Sequence, residues 1–267
     1  MPVHPLRATR VRLGRALLWS AVAVTPVQAA VPPDCRAGPP RVDTLQGVGP
    51  RGELILESGD RAVLSGLRWP DAADVGVGAE ASLMRHRGRR LTLVRRGEPD
   101  RWGRVRVDAA LEDDAIDLAG SLVEAGLAQV HSGEAEALCR PALLGIEAGA
   151  RAAGRGIWRT PVRDARDGAS LGTEIGRFVV AEGRIVNVGE RPSRTYVDFV
   201  GRGASGLTVT VSKRTWRLLS ERGLSAAVLR GRRVRVRGVV EMWRGPTLDI
   251  VSADMIEVLD EERASRR

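Results

Sequence analysis

Apolar residues in the first half of the chain come in short runs that flank turns. The runs 54–56 and 62–64 lie on either side of Ser58-Gly59-Asp60, and this arrangement predicts a β-hairpin. Two further runs, 91–94 and 105–107, flank another turn that contains glycine and proline, and they predict a second pair of strands. The first half is therefore expected to begin with β-structure.

Farther along, the apolar spacing changes to three and four residues, which is typical of helices. It predicts helices within 115–128 and 139–158. In the second helix Glu147 and Arg151 are one turn apart and are expected to form an ion pair. Trp158 follows a glycine stop and is expected to fold back against the helix. Strands followed by helices predict an α+β, mostly β, fold.

The second half alternates apolar and polar residues in several separate segments. This pattern predicts five strands with one helix between the third and the fourth, an order typical of an OB-fold barrel. The strands are expected at 178–188, 195–200, 207–211, 232–240 and 247–251, and the helix at 213–222. Residues 161–176, rich in proline, glycine and charge, are expected to be a linker.

The first 29 residues have the pattern of a secretory signal peptide. Several arginines precede the apolar run 16–24, and small residues suited to cleavage end at Ala29 or Ala30. The run is short for a membrane span, so we expect a periplasmic or secreted protein with no membrane attachment after cleavage. An uncleaved anchor is the alternative. Residues 30–43 are rich in proline and are expected to be irregular.

Charge gives a mild preference for acidic partners. The formal net charge is +9, and loss of the four arginines in 1–29 would leave +5. Such a surface attracts polyanions, but an arginine-rich composition produces the same charge without any partner. Net charge alone therefore does not identify a ligand.

The chain has two cysteines, Cys35 and Cys139, and an even number in an exported protein favours a disulfide. A zinc site would need more ligands than the chain offers. Beyond the predicted signal peptide only His86 and His131 remain, and both are expected to be ordinary surface residues. A structural disulfide is the prediction.

Three blocks in the first half carry a resemblance to a known family. They are LSGLRWPD at 64–71, DRWGRV at 100–105, and the apolar positions of 118–128 that lead into the helix of 139–158. In this order and spacing they resemble the staphylococcal nuclease-like (thermonuclease) family over about residues 45–160. The resemblance implies a five-stranded barrel of the OB type with helices.

The resemblance also implies a division of the chain. The second half is similar to an OB-like extension found on some exported bacterial members of that family, so a second five-stranded OB-like barrel is expected. The implied parts are a signal peptide at 1–29, a nuclease-like domain at 30–160, a linker at 161–176, an OB-like domain at 177–260 and a polar tail at 261–267.

Family chemistry is Ca²⁺-dependent phosphodiester hydrolysis, and this chain departs from it at most of the matching positions. The first metal aspartate corresponds to Gly52, with Glu53 one residue away, and the second corresponds to Arg68. The other departures are Val63 for an arginine, Asp71 for the glutamate, and Trp102 and Ser132 for two tyrosines; Arg104 alone is retained. An arginine at a metal position repels a cation. We therefore expect the scaffold without ordinary Ca²⁺ nuclease activity and without a cofactor.

An altered active site is the alternative. Arg104 and Asp71 would then be catalytic, Glu53 and Asp71 would be the metal ligands, and Ca²⁺ would be the cofactor. The opposing interpretation is that Asp71 is a turn residue, that Glu53 is solvated, and that Arg104 forms a structural ion pair with Asp100.

Arginines and tryptophans give candidate nucleic-acid-binding positions in both halves. The candidates are Arg87, Arg89, Arg90, Arg101 and Trp102 in the first, and Arg233, Arg235, Arg237 and Trp243 in the second. A solvated face explains the first group equally well, and an interface between the halves explains the second. The predicted function is binding of single-stranded nucleic acid or another envelope polyanion. A protein-interaction scaffold of the envelope, with a protein partner, is the remaining alternative.

Overall fold

The computed structural model describes residues 32–100, 103–113, 117–133, 135 and 137–259. The predicted signal peptide, the predicted polar tail, Arg101 and Trp102 lie outside these residues. No helix in the described part of the chain is long and apolar enough to cross a membrane. The described residues belong to one compact unit.

The first half contains a closed five-stranded barrel. Its elements are β1 (Ala37–Val48), β2 (Leu54–Leu56), β3 (Arg61–Leu64), β4 (Leu67–Arg68), α1 (Ala73–Met84), β5 (Arg90–Arg96) and β6 (Val105–Leu111). Neighbours around the barrel follow the order β1-β2-β3-β6-β5. β3 and β6 run parallel, and the other pairs are antiparallel. Both predicted strand pairs are confirmed.

Alternation of side chains explains why these segments close into a barrel. In the first part of β5 and toward the end of β6 buried residues alternate with more exposed ones, and the buried ones include Leu91, Leu93, Val107 and Leu111. The expectation that 30–43 is irregular is wrong for most of its described part, because β1 begins at Ala37 and pairs with β5. A shift of register between Ala37 and Pro40 lets the strand carry prolines that cannot donate a hydrogen bond.

Two helices and a short strand complete the first half: α2 (Leu118–Glu124), β7 (Gln129–Val130) and α3 (Ala142–Ala152). Asp117 caps α2 by accepting hydrogen bonds from the N–H groups of Ala119 and Gly120. A 3-10 turn at Gly156–Arg159 follows α3 and buries Trp158. Both helices lie inside the predicted ranges and are shorter than those ranges. The cap at Asp117 sets the start of α2, and glycines with positive φ follow the end of each helix.

The second half is an eight-stranded sheet of the half-barrel kind. Its elements are β8 (Arg163–Asp164), α4 (Gly168–Gly172), β9 (Phe178–Arg184), β10 (Asn187–Glu190), β11 (Arg194–Asp198), β12 (Thr208–Ser212), α5 (Lys213–Glu221), α6 (Ala226–Leu229), β13 (Arg233–Met242), β14 (Pro246–Ile250) and β15 (Ile256–Val258). Neighbours follow the order β10-β11-β12-β14-β13-β9-β8, and β15 pairs with β13. β12 and β14 run parallel.

The two halves share a connectivity. In the first half β3 and β6 are parallel neighbours, and α1 and β5 lie between them in the chain; in the second half β12 and β14 are parallel neighbours, and α5, α6 and β13 lie between them, which is compatible with OB-like barrels. Residues 161–176 contain β8 and α4, and Ala165 and Leu171 are fully buried there. This segment therefore packs onto the second sheet.

Covalent and apolar contacts join the parts. The predicted disulfide between Cys35 and Cys139 is confirmed. It fixes the residues just before β1 to those just before α3. One buried cluster includes Val130 and Leu143 of the first half together with Val179 and Val236 of the second. The halves therefore share part of their core.

Candidate functional site: an arginine-lined cleft

A cleft of about 1430 Å³ opens on the first barrel. It lies between the start of β1, the turn after β1, the β3–β4 connection, the β5–β6 connection and the residues after β7. Among the described residues that line it are six arginines (Arg36, Arg51, Arg68, Arg95, Arg104 and Arg106) and three carboxylates (Asp71, Glu98 and Asp100). The cleft therefore has an excess of positive charge.

Gly52 has no room for a side chain. Its φ angle is +77°, and a Cβ atom placed on it would lie 2.1 Å from Cε3 of Trp69. Trp69 therefore packs directly on the backbone of Gly52. The indole ring occupies the space that the carboxylate of an aspartate would need at this position.

Arg68 and Asp71 bind each other at the wall of the cleft. Nη2 of Arg68 donates to Oδ1 of Asp71 over 2.9 Å. The other carboxylate oxygen of Asp71 accepts from the backbone N–H of Phe178 over 3.0 Å. Both oxygens of Asp71 are thus engaged, one within the cleft and one with the start of β9. Asp71 therefore connects the wall of the cleft to the start of β9.

Glu53 and Arg104 form a second ion pair. Oε1 of Glu53 lies 3.3 Å from Nη1 of Arg104, and Oε2 accepts from the N–H of Arg51 over 3.0 Å. Nε of Arg104 donates to Oδ2 of Asp100 over 2.7 Å. Glu53 is buried, which opposes its solvated alternative. The pair with Asp100 is the structural contact considered above for Arg104.

Electrostatics keep these groups charged. Burial by itself would raise the pKa of Glu53, but hydrogen bonds from its own N–H and that of Arg51, and the guanidinium of Arg104, lower it below its ordinary value. The hydrogen bond to Asp100 is the main cause that raises the pKa of Arg104. The cleft therefore keeps its arginine charge at neutral pH.

The side chains at the matching positions do not fit a Ca²⁺ ion. Ca²⁺ takes six to eight oxygen ligands, several of them from carboxylates. Gly52 is covered by Trp69, and Arg68 places a guanidinium where a carboxylate would be required. Within the residues that the structure describes, no group of three or more His, Cys, Asp or Glu side chains could hold a metal ion.

Arg36 and Arg51 are the most available cations of the cleft. Both are exposed. In the described part of the chain neither has an ion pair, whereas Arg95 contacts the highly exposed Glu98 at 2.8 Å. The reasoning from sequence missed Arg36, Arg51 and Arg68 as ligand-binding candidates. One feature of the sequence pointed to Arg36, namely its position beside Cys35, because the disulfide holds that segment at the cleft.

His131 lies at the back of the cleft, and the expectation that it is an ordinary surface residue is wrong. Burial is the main cause that lowers its pKa to about 4, and the charges of Arg68 and Arg237 add to the effect. Its Nδ1 accepts from the N–H of Gly133 over 3.1 Å, so the proton of the neutral ring is on Nε2. The ring also packs edge-on against Phe178, with 4.9 Å between centroids.

The arginines predicted from the 85–106 stretch separate in the structure. Arg87 is exposed, while Arg89 contacts Asp113 at 3.2 Å and Arg90 contacts Glu112 at 2.9 Å. Arg90 begins β5 and Arg95 lies near its end, roughly 17 Å along an extended strand. Arg87, Arg89 and Arg90 do not line the cleft.

Arg233, Arg235 and Arg237 share one face of β13, where they meet carboxylates. Arg235 binds Glu182 at 2.7 Å and Glu257 at 3.2 Å. The side chain of Arg237 has no exposed area and lies 2.6 Å from the equally buried Glu147 of α3. This favours an interface between the halves for Arg237, whereas Arg235 is paired with carboxylates within the second half. Arg233 stays exposed beside Glu182.

Trp243 lies apart from these arginines. It occupies the turn between β13 and β14, is half exposed, and contacts Tyr196 and Arg244.

Comparison with protein-family models finds none that matches the chain, and comparison with curated proteins finds no significant match.

Proposed function

We propose that this protein binds single-stranded nucleic acid, or another polyanion that carries phosphate groups, in the arginine-lined cleft and does not hydrolyse it. One observation supports the proposal more than any other. At the positions where the nuclease-like resemblance implies metal carboxylates, the chain has Gly52 packed under Trp69 and an arginine, and five further arginines line the same cleft.

The physical basis is release of counterions from a phosphate chain. Each arginine that neutralises a phosphate frees condensed cations, and this term dominates affinity without regard to sequence. Arg36 and Arg51 are exposed cations at the cleft, so they are the first contacts that we assign to phosphates. A flexible single strand can adapt the positions of its phosphates to fixed arginines more easily than a duplex can.

The test is the salt dependence of binding. Anisotropy of a labelled thymidine oligonucleotide, titrated with the full chain at several salt concentrations in EDTA, gives the slope of log affinity against log salt. If Arg36 and Arg51 each contact one phosphate, the double variant Arg36→Gln/Arg51→Gln should reduce the slope by about 1.4, since each contact to a single strand adds about 0.7.

Arg87→Gln is the matched control, because Arg87 is also exposed but lies outside the cleft. It should leave the slope within error of the wild-type value. Equal slopes for the wild type and the double variant would refute the assignment of the cleft.

A further inference from the structure

The second half has an outward sheet face that the cleft does not use. Val197, Val209 and Leu248 point into the core, so their neighbours along each strand point outward. Two rows cross this face from strand to strand. The aromatic row is Asp249, Thr210, Tyr196 and Gly189, and the acidic row is Glu241, Thr247, Thr208, Asp198 and Asn187.

Tyr196 of the aromatic row pairs with the exposed Trp243. The rings of Trp243 and Tyr196 are nearly parallel, at 22°, with centroids 6.0 Å apart. Trp243 is 50% exposed although it is a large apolar side chain. Gly189 is the residue opposite Tyr196 on the neighbouring strand, so no side chain stands beside the tyrosine on that strand. The two rings are stacked on each other, so the pair offers its outer aromatic face and its ring edges to a flat or ring-shaped ligand.

The turn that carries Trp243 is fixed by its own hydrogen bonds. The N–H of Trp243 donates to the carbonyl of Gly245 over 3.0 Å, and Oγ1 of Thr247 donates to the carbonyl of Trp243 over 3.1 Å. The guanidinium of Arg244 lies 5.0 Å from the centre of the indole. The aromatic ring is therefore exposed on an ordered backbone, which reduces the entropy lost when a ligand binds.

Oriented polar groups surround the rings. Asp249 accepts hydrogen bonds from Arg194 and Thr210, over 2.5 and 2.6 Å. Asp198 accepts from Nδ2 of Asn187 over 3.2 Å and from Oγ1 of Thr208 over 3.1 Å. These partners hold the two carboxylates in place, and the side chain of Asp249 remains 37% exposed. A ligand that carries hydroxyl groups can bind such carboxylates and amides at its edge.

The charge of this face disfavours a phosphate chain. Three carboxylates, Asp198, Glu241 and Asp249, lie on or beside the rows, against the two cations Arg194 and Arg244. A polyanion would be repelled here, in contrast to the cleft. The aromatic pair with hydroxyl-binding carboxylates suits an uncharged ring that stacks by its apolar face and forms hydrogen bonds at its rim.

We propose that the outward face around Trp243 and Tyr196 binds a neutral oligosaccharide. The sugar ring packs against the exposed indole of the stacked pair, and its hydroxyl groups bind Asp249, Arg194 and Asp198. This site is separate from the cleft and does not depend on the function proposed for it.

Calorimetric titration of the full chain with three neutral hexasaccharides (cellohexaose, maltohexaose and N-acetylchitohexaose) at millimolar concentration tests the proposal. At least one should bind, with an affinity that changes little between low and high salt. Trp243→Ala should weaken that binding about tenfold, the loss expected for one aromatic contact. Asp249→Asn should weaken it as well.

Met242→Ala is the matched control, because Met242 is the neighbouring exposed apolar side chain and points to the other side of the strand. It should bind the sugar as the wild type does. So should the cleft variant Arg36→Gln/Arg51→Gln, which separates a failure of this proposal from a failure of the cleft.

Three results would overturn the proposal. The first is that none of the three sugars binds, and the second is that the sugar binds Trp243→Ala as tightly as it binds the wild type. The third is that Trp243→Ala removes affinity for the thymidine oligonucleotide, which would assign the aromatic pair to nucleic acid.

Discussion

Arg237 offers the sharpest test of how the two halves are joined. Its guanidinium has no exposed area and lies 2.6 Å from Glu147 of α3, whose side chain is also fully buried. The same group donates to the backbone carbonyl of Val130 over 3.3 Å and binds Glu257 of β15. A single side chain thus satisfies acceptors from both halves.

The substitution Arg237→Met keeps much of the volume and removes the charge. Glu147 would keep the N–H of Val130 and a longer contact of 3.4 Å to Arg151, but it would lose its nearest cation. Loss of one partner of a buried pair costs about 3–5 kcal/mol, because the remaining buried charge keeps only its weaker contacts. We therefore expect the free energy of unfolding to fall by about that amount.

Urea denaturation monitored by circular dichroism measures this loss. Arg233→Met is the matched control, since Arg233 is on the same face of the same strand and its side chain is 48% exposed. It should cost less than about 1 kcal/mol, as solvent-exposed ion pairs do. The double variant Arg237→Met/Glu147→Gln should recover part of the loss, because it also removes the buried charge of Glu147 that has lost its nearest cation. Equal stability of Arg237→Met and Arg233→Met would refute the account.

Three further predictions follow from the packing around the cleft. Gly52→Ala should destabilise the folded protein by about 2–5 kcal/mol, because the added Cβ clashes with Trp69 and the φ angle is positive. The second change Trp69→Ala should relieve the clash. The control is Gly59→Ala, at a φ of +87° with nothing within 4 Å, which should cost only about 1–2 kcal/mol in the same denaturation assay. Removal of the disulfide by Cys35→Ala/Cys139→Ala, which opens a loop of 104 residues, should lower the melting temperature and cost up to about 4.7 kcal/mol, and an unchanged melting temperature would contradict this. The pKa of His131 in the folded protein is about 4, below its ordinary 6.5. Between these two values the unfolded chain binds a proton at His131 that the folded chain does not bind, so stability should fall as the pH drops from about 6.5 to about 4. His131→Gln should remove up to about 3 kcal/mol of this pH dependence, and parallel pH profiles of stability for the variant and the wild type would refute the prediction.

Local patterns in the sequence were sufficient for much of the fold. The turn at Ser58-Gly59-Asp60 and the alternation on both sides of it predict the β2–β3 hairpin, because such signals act over a few residues. The contact of Glu147 with Arg151 follows from helical spacing in the same way. The disulfide was predicted from the number of cysteines, without geometry.

Contacts between distant residues were beyond such reasoning. Glu147 and Arg237 are 90 residues apart, and no local pattern indicates that they meet. The packing of Trp69 on Gly52 depends on how closely the turn after β1 approaches the residues that follow β4. His131 has the sequence context of a loop residue, and Phe178 from the second half packs edge-on against it.

Two of the site residues proposed from the sequence lie at the cleft. Arg104 and Asp71 do line the cleft. The six arginines come together because the ends of several strands meet at the cleft. The first and last of them, Arg36 and Arg106, are 70 residues apart in the sequence. The best candidates for a binding site are therefore the arginines that line the cleft, and not those at the beginning of β5.

Incubation of labelled single-stranded DNA with the full chain tests the central claim most directly. The reactions would contain Ca²⁺, Mg²⁺, Mn²⁺ or EDTA and would be followed both by anisotropy and by gel. We predict that the DNA is bound with steep salt dependence, equally with and without metal, and that it stays intact in every reaction. Metal-dependent cleavage that Arg104→Ala abolishes, or no binding at low salt, would contradict the account.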